Sequence, residues 1–83
     1  MKLLYFAWFR EKAGVAQEQA SPPDSVTTVA LLVDWLKSRG NGYAEAFNDA
    51  SVIRVAVNQE YVSMDYPVAP GDEVAFFPPM TGG

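Results

Sequence analysis

The chain has 83 residues, of which 49% are hydrophobic, and a formal net charge of −4. A chain of this length forms one small domain, and the absence of cysteine and histidine excludes disulfides, thiolate chemistry and imidazole-based catalysis. No apolar run is long enough for a membrane span, and the N-terminus lacks a signal-peptide pattern. We therefore expect a soluble cytoplasmic protein, with no membrane contact, that is poorly equipped to be an enzyme on its own.

The charges are unevenly distributed along the chain. All basic residues lie within residues 1–54, where an equal number of acids balances them. Residues 55–83 carry only acids, which are Glu60, Asp65, Asp72 and Glu73. Nucleic acid is not expected as a partner, because phosphate binding needs a basic stripe. A protein partner with a basic rim fits the acidic half better.

The first predicted element is a strand over residues 3–9, LLYFAWF, in which every residue is apolar. Gly14 suits a tight turn, and the following VAQEQA predicts a weaker strand near an edge, so that the two strands form a hairpin. Alternation gives the first strand two apolar faces, and one helix layer can cover only one of them. We expect the other face to be an exposed patch or an interface.

A helix is predicted after PPDS. Thr27 or Thr28 can cap its N-terminus. Its apolar residues have helical spacing and form a stripe that faces the core, Val29, Leu32, Val33 and Leu36. Arg39 favours the C-terminal end of this helix, and Gly40 is expected to supply a left-handed stop. The following YAEAFNDA predicts a short helical turn that directs three residues inward, Tyr43, Phe47 and Ala50.

The last third of the chain predicts strands and turns. VIRVAV is a β-branched strand, and NQE forms a turn before Tyr61 and Val62. PGD forms another turn before the last strand, Glu73–Phe77. The order β-β-α-β-β predicts an α+β fold of the β-grasp, ubiquitin-like type, with a mixed sheet of four to five strands packed on one main helix. Residues 1–77 would form this domain, followed by a flexible C-terminal Gly-Gly tail over residues 78–83.

The tail, PPMTGG, combines stiffness with a tip that has no side chains. Pro78 and Pro79 favour an extended exit from the sheet. Gly82 and Gly83 can enter a narrow tunnel and leave the terminal carboxylate approachable. That carboxylate is ionised at neutral pH, so it can attack an ATP α-phosphate, and a sulfur donor can then displace the adenylate. A frayed end without a function is the alternative interpretation.

Four stretches of the chain resemble the sulfur-carrier, or small, subunit of molybdopterin synthase: FAWFREKAG, TVALLVDWL, VAVNQEYV and GDEVAFFPPMTGG. The resemblance runs from end to end, and its last two stretches are specific. It implies that Gly83 is adenylated by an adenylyltransferase of the ubiquitin-activating type. A sulfurtransferase would then supply the sulfur that converts Gly83 to 1-thioglycine, a thiocarboxylate. The resemblance implies no bound cofactor and no metal.

The same resemblance implies a role within a larger enzyme. The tail, with Gly82 before the reacting Gly83, would insert into the large subunit of molybdopterin synthase within a heterotetramer. Two carriers in succession would convert cyclic pyranopterin monophosphate into molybdopterin. Catalytic side chains would belong to the large subunit, so this chain would be a non-catalytic sulfur donor. The implied partner-binding residues are Phe6, Tyr61, Phe77, Pro78, Pro79, Met80 and Thr81.

Three alternatives remain at this point. A thiamine-pathway sulfur carrier shares the fold and the Gly-Gly end, although it is usually shorter and lacks AFFPP before the tail. A ubiquitin-like modifier, conjugated to lysines of other proteins, shares the same terminus. A plain β-grasp interaction module would show no sulfur chemistry at all.

Overall fold

The fold is given by a computed structural model that describes residues 1–79. Within these residues five strands form one mixed sheet in the order β2-β1-β5-β3-β4. The strands are β1 (Lys2–Tyr5), β2 (Gln17–Gln19), β3 (Arg54–Val57), β4 (Glu60–Val62) and β5 (Glu73–Phe77). β1 and β5 run parallel, whereas the other neighbouring strands run antiparallel. The bounds predicted for the last strand are confirmed.

Three α-helices accompany the sheet in the described part of the chain. They are α1 (Ala7–Ala13), α2 (Val29–Lys37) and α3 (Asn41–Ala46), and a 3-10 turn follows at Ala50–Val52. None of them is long and apolar enough to cross a membrane. The stripe predicted for α2 is buried in full. The Thr28 hydroxyl accepts a hydrogen bond from the Leu31 N–H at 3.2 Å, which confirms one of the two predicted caps.

The core lies between α2 and one face of the sheet. Alternate strand residues point into it, namely Leu3, Tyr5, Val55, Val57, Val74 and Phe76. The rings of Tyr5 and Phe76 stack with their centroids 6.0 Å apart, and Phe47 meets Phe76 edge to face at 4.9 Å. A mixed sheet with its main helix on one face is the predicted β-grasp arrangement. The opposite face of the sheet is therefore left without a helix.

The strand predicted for LLYFAWF is wrong beyond Tyr5. β1 ends there, because Ala7 takes a left-handed φ of 49° that turns the chain out of the strand. The residues that follow form α1, since Arg, Glu, Lys and Ala are good helix formers. Gly14 ends this helix with a φ of 81° and donates its N–H to the Arg10 carbonyl, where a hairpin turn was expected. β2 still pairs with β1, at the edge of the sheet.

Two smaller expectations about the helices are also wrong. α2 ends at Lys37, and Gly40 has a φ of 148° immediately before α3, so Gly40 begins the next helix and does not stop the previous one. Ala50 is exposed. Because α3 ends at Ala46, the helical spacing that directed Ala50 inward does not extend to that residue. Phe47 is buried as predicted.

Candidate functional site

The sheet face that lacks a helix is mainly apolar at its centre. The strand register places Leu4, Ala75, Ala56 and Tyr61 in one row across four strands. Since alternate residues point to opposite faces, Phe77 lies on the same face as Ala75, two residues further along β5. We call this surface the open face. It is the unpartnered face that the sequence predicted.

The end of β5 carries an aromatic pair on the open face. The rings of Tyr61 and Phe77 lie with their centroids 5.5 Å apart. Tyr61 is 82% exposed, and together with Val55, Val62 and Arg54 this pair lines a shallow groove of about 330 Å³. We call it the tail-root groove, because Pro78 and Pro79 follow Phe77 directly. Large exposed aromatic surface of this kind is typical of a protein interface.

Phe6 lies at the same end of the sheet. Its N–H donates to the Phe76 carbonyl at 3.1 Å, which continues the parallel register of Tyr5 with Phe76 and sets Phe6 beside Phe77. Phe6 is 49% exposed. The predicted partner-binding residue Phe6 thus lies on the β1 side of Phe77. The other one, Tyr61, contacts Phe77 from the side of β4. The predicted residues Met80, Thr81, Gly82 and Gly83 lie outside the described residues.

Helix α1 fixes the position of Phe6 through its contacts with α3. The Lys12 ammonium contacts the Glu45 carboxylate at 2.7 Å, and the Trp8 indole N–H donates to the Ala46 carbonyl at 3.2 Å. The helices approach closely at Gly42, where an added Cβ would lie 2.2 Å from the Lys12 carbonyl oxygen. No larger residue fits at this crossing without a shift of the backbone.

Sequence reasoning missed Arg54 as a residue of this site. Arg54 pairs directly with Phe77 across the β3–β5 ladder. Its Nη1 donates to the carbonyls of Ser51 and Ile53 at 3.1 and 3.2 Å, and the side chain lines the groove. It forms no ion pair with any carboxylate of residues 1–79. The alternation in VIRVAV could have indicated Arg54, because it puts this residue on the sheet face opposite to that of the buried strand residues.

Two acids of the C-terminal half lie far from the tail root. Asp72 and Glu73 lie at the start of β5, and the Glu73 carboxylate is 3.9 Å from the Lys2 ammonium. At about 3.3 Å per residue, Phe77 is about 13 Å further along the strand. The charged residue paired with Phe77 is the cation Arg54. Asp72 and Glu73 are therefore not placed where the tail leaves the sheet, and the charged residue there is a cation.

A cluster of polar and charged side chains on the core side of the sheet stabilises the edge strand β2. The Glu18 carboxylate accepts hydrogen bonds from the hydroxyls of Tyr5 and Tyr43 at 2.7 and 2.9 Å, and Arg39 contacts it at 3.0 Å. Burial, followed by the hydrogen bond to Glu18, raises the pKa of Tyr5 far above its ordinary value. Partial burial also favours a higher pKa for Glu18, but the hydrogen bonds outweigh it and hold that pKa below its ordinary value. Across residues 1–79, no group of three or more acidic side chains is placed to hold a metal ion.

Comparison with known proteins places this architecture in a family. The ThiS family matches residues 3–83. The chain belongs to the ThiS family. One ThiS-type relative is the molybdopterin synthase sulfur carrier subunit of Escherichia coli (strain K12), which is 40% identical over 83 residues, covering 100% of this chain and 99% of the relative. The resemblance drawn from the four sequence stretches is confirmed.

Solved structures agree with this assignment. The putative molybdopterin converting factor, subunit 1, of Pyrococcus furiosus superposes with a TM-score of 0.75 at 35% identity, covering 95% of each chain. The small archaeal modifier protein 1 of Haloferax volcanii superposes with a TM-score of 0.68 at 26% identity, covering 96% of this chain and 97% of that one. The β-grasp fold predicted from the order of elements is confirmed.

Proposed function

We propose that this chain is the sulfur-carrier subunit of molybdopterin synthase in molybdenum cofactor biosynthesis. The observation that carries the proposal is the end-to-end match, at 40% identity, to the Escherichia coli subunit of that name. The geometry supports it, because an aromatic docking face lies at the base of a Gly-Gly tail. In this role the chain is not an enzyme on its own, and the catalytic side chains belong to the large subunit.

The proposed chemistry takes place at the terminal carboxylate of Gly83. The carboxylate oxygen attacks the α-phosphate of ATP on an adenylyltransferase of the ubiquitin-activating type, and pyrophosphate leaves. The persulfide of a sulfurtransferase then attacks the acyl carbon, AMP leaves, and an acyl disulfide forms. A thiol attacks the enzyme sulfur of this disulfide, forms a new disulfide with it, and releases Gly83 as a thiocarboxylate. No side chain crowds the acyl carbon, because the last two residues are both glycine. Since the reaction consumes ATP, we place it in the cytoplasm.

The proposed transfer takes place within the large subunit. The open face docks there through Phe6, Tyr61 and Phe77, and the segment of residues 78–83 spans at most about 20 Å when fully extended. An extended tail lets the thiocarboxylate reach up to that distance from the sheet, where it reacts with cyclic pyranopterin monophosphate held by the large subunit. Two carriers and two large subunits form the proposed heterotetramer, and two thiocarboxylated carriers in succession supply the two sulfur atoms of each product.

Reconstitution with two acceptors tests this proposal. The thiocarboxylated chain is mixed with the large subunit and cyclic pyranopterin monophosphate in one reaction, and with thiazole synthase and its substrates in another. We expect molybdopterin in the first reaction and no thiazole product in the second. The reverse result would assign the chain to the thiamine pathway. The unmodified chain, carried through both reactions, is the matched control.

A second candidate function is a ubiquitin-like modifier. The structural similarity to the small archaeal modifier protein 1 of Haloferax volcanii, with a TM-score of 0.68, favours it. A modifier would form an isopeptide bond between Gly83 and a lysine of a target protein. Incubation with ATP, the activating enzyme and a cell extract, followed by denaturing gels, separates the two roles. Adducts that survive reducing agent indicate a modifier, whereas a carrier gives only the free chain.

A further inference from the structure

The fold does not explain why a cation, Arg54, lies at the tail-root groove. Arg54 is the last basic residue of the chain and lies on the open face, paired with Phe77. One nitrogen of its guanidinium is anchored by two backbone carbonyls. Within residues 1–79 the other nitrogens of this group, Nε and Nη2, make no hydrogen bond. A fixed guanidinium with unused donors beside an exposed aromatic pair is suited to bind an anion.

We propose that Arg54 determines partner specificity at the open face by pairing with an Asp or Glu carboxylate of the large subunit. This inference rests on the proposed function. A partner that receives the tail has to lie over Phe77, because the tail begins at the next residue. Covering the groove removes water from Arg54, and a charge that is desolvated without a partner carries a large penalty. A carboxylate offsets this penalty and matches the fork of donors in a guanidinium.

The position of Arg54 favours a protein carboxylate over a phosphate of the nucleotide. The reacting end of the chain is six residues beyond Phe77 and can lie up to about 20 Å from it. A nucleotide held at Gly83 is therefore remote from the groove when the tail is extended. Asp72 and Glu73, at the start of β5, are also remote from the groove, and Arg54 is the charged residue that pairs with Phe77. The partner surface that fits has an apolar centre for Tyr61 and Phe77 and an acidic residue beside it.

Charge reversal at Arg54 tests the inference directly. The variants are Arg54→Glu and the neutral Arg54→Gln, and the control is Lys37→Glu on α2, which makes the same change in net charge on the helix side of the sheet. Binding to the large subunit is measured by surface plasmon resonance. We expect Arg54→Glu to weaken binding by about 30-fold or more, mainly through faster dissociation, because a desolvated ion pair is lost. The Lys37→Glu control should bind like the chain without a substitution.

A second arm identifies the carboxylate. Each Asp and Glu near the tail entrance of the large subunit is changed to Lys, and the variants are tested against Arg54→Glu. We expect one reversal to restore binding to Arg54→Glu and to weaken binding to the unmodified chain. Thermal unfolding of each variant shows whether the fold is intact. If Arg54→Glu is less stable than the chain without a substitution, binding by Arg54→Gln shows whether the lost charge weakens docking. Failure of every reversal to restore binding would overturn the inference.

Other outcomes overturn the inference in recognisable ways. If Arg54→Glu binds as tightly as the Lys37→Glu control, Arg54 has no role in docking. If Arg54→Gln slows adenylation by the activating enzyme and leaves binding to the large subunit unchanged, the anion is a phosphate. If Arg54 variants change only the sedimentation of the carrier alone, the occupant of the groove is a second copy of this chain. Absence of binding by the unmodified chain would instead refute the proposed function.

Discussion

Phe76 and Phe77 are consecutive in β5 and lie on opposite faces of the sheet. Phe76 is fully buried at 0% exposure and contacts the rings of Tyr5, Phe9 and Phe47. The ring of Phe77 contacts Tyr61 on the open face. Two identical side chains at consecutive positions therefore separate a core role from the proposed docking role. This separation allows each role to be measured with the other as its control.

Replacing each phenylalanine with alanine should give opposite results. Phe76→Ala should lower the free energy of unfolding by about 3–5 kcal/mol, because it leaves a cavity in the core. Phe77→Ala should cost much less stability but weaken docking by about 2 kcal/mol or more. Urea unfolding and a binding titration with the large subunit measure the two effects. If Phe77→Ala destabilised the fold as much as Phe76→Ala, the docking role of Phe77 would be wrong.

The β3–β4 turn offers a way to stabilise the domain. Asn58 and Gln59 have φ values of 50° and 72°, and glycine adopts this region without the steric cost that other residues incur. Gln59→Gly should raise the free energy of unfolding by about 1 kcal/mol. Gln17→Gly in β2 is the control and should lower it, because glycine weakens a strand with ordinary φ. Urea denaturation measures the free energy of unfolding of both variants. Equal destabilisation by the two substitutions would contradict the assigned turn conformation.

The Glu18 cluster predicts a loss of stability in acid. The folded state holds the pKa of Glu18 below its ordinary value, so the carboxylate contributes its full stabilisation above about pH 4.3. The contribution is lost as the pH falls through the lowered pKa. Glu18→Gln should therefore be less stable at pH 7 and lose less stability than the unmodified chain between pH 5 and pH 3. Glu11→Gln, at an exposed position on α1, is the control, and parallel pH profiles for all three chains would contradict this role.

The tail predicts a variant that folds but does not transfer sulfur. Gly82→Val adds a β-branched side chain next to the reacting carbonyl, where it should block entry into a narrow tunnel. We expect loss of sulfur transfer in the reconstituted reaction and an unchanged thermal transition. Gly71→Val, in the turn before β5 where an added Cβ meets no atom within 4 Å, is a matched control that should keep the activity. A lower unfolding temperature for Gly82→Val would mean that the tail contributes to the fold.

Much of the fold follows from periodic patterns in the sequence. The α2 stripe, the last strand and the two faces of β5 were all predicted, because each has an uninterrupted period. α1 was not predicted, because LLYFAWF is apolar throughout and its period is hidden. The change from strand to helix depends on the left-handed backbone at Ala7, which a sequence pattern does not reveal.

The site was predicted only in part. Alternation and the family resemblance gave Phe6, Tyr61 and Phe77, which lie on the open face. The position of Arg54 beside Phe77 depends on the register between β3 and β5, two strands that are far apart in sequence. Glu73 and Phe77 lie at opposite ends of β5, so the length of that strand separates Glu73 from the tail root. Pairing between distant strands is set by the packed core, so charge counted along the chain could not show that Arg54 lies beside the tail root.

The mass of the intact chain tests the central claim most directly. The chain is incubated with ATP, the activating enzyme and a sulfide source, and is then weighed by mass spectrometry. Replacing the terminal hydroxyl of Gly83 with SH adds about 16 Da. We expect this species in the complete reaction, and we expect it to be absent when ATP is left out. An unchanged mass in the complete reaction, with an activating enzyme that loads an established carrier, would contradict the sulfur-carrier function.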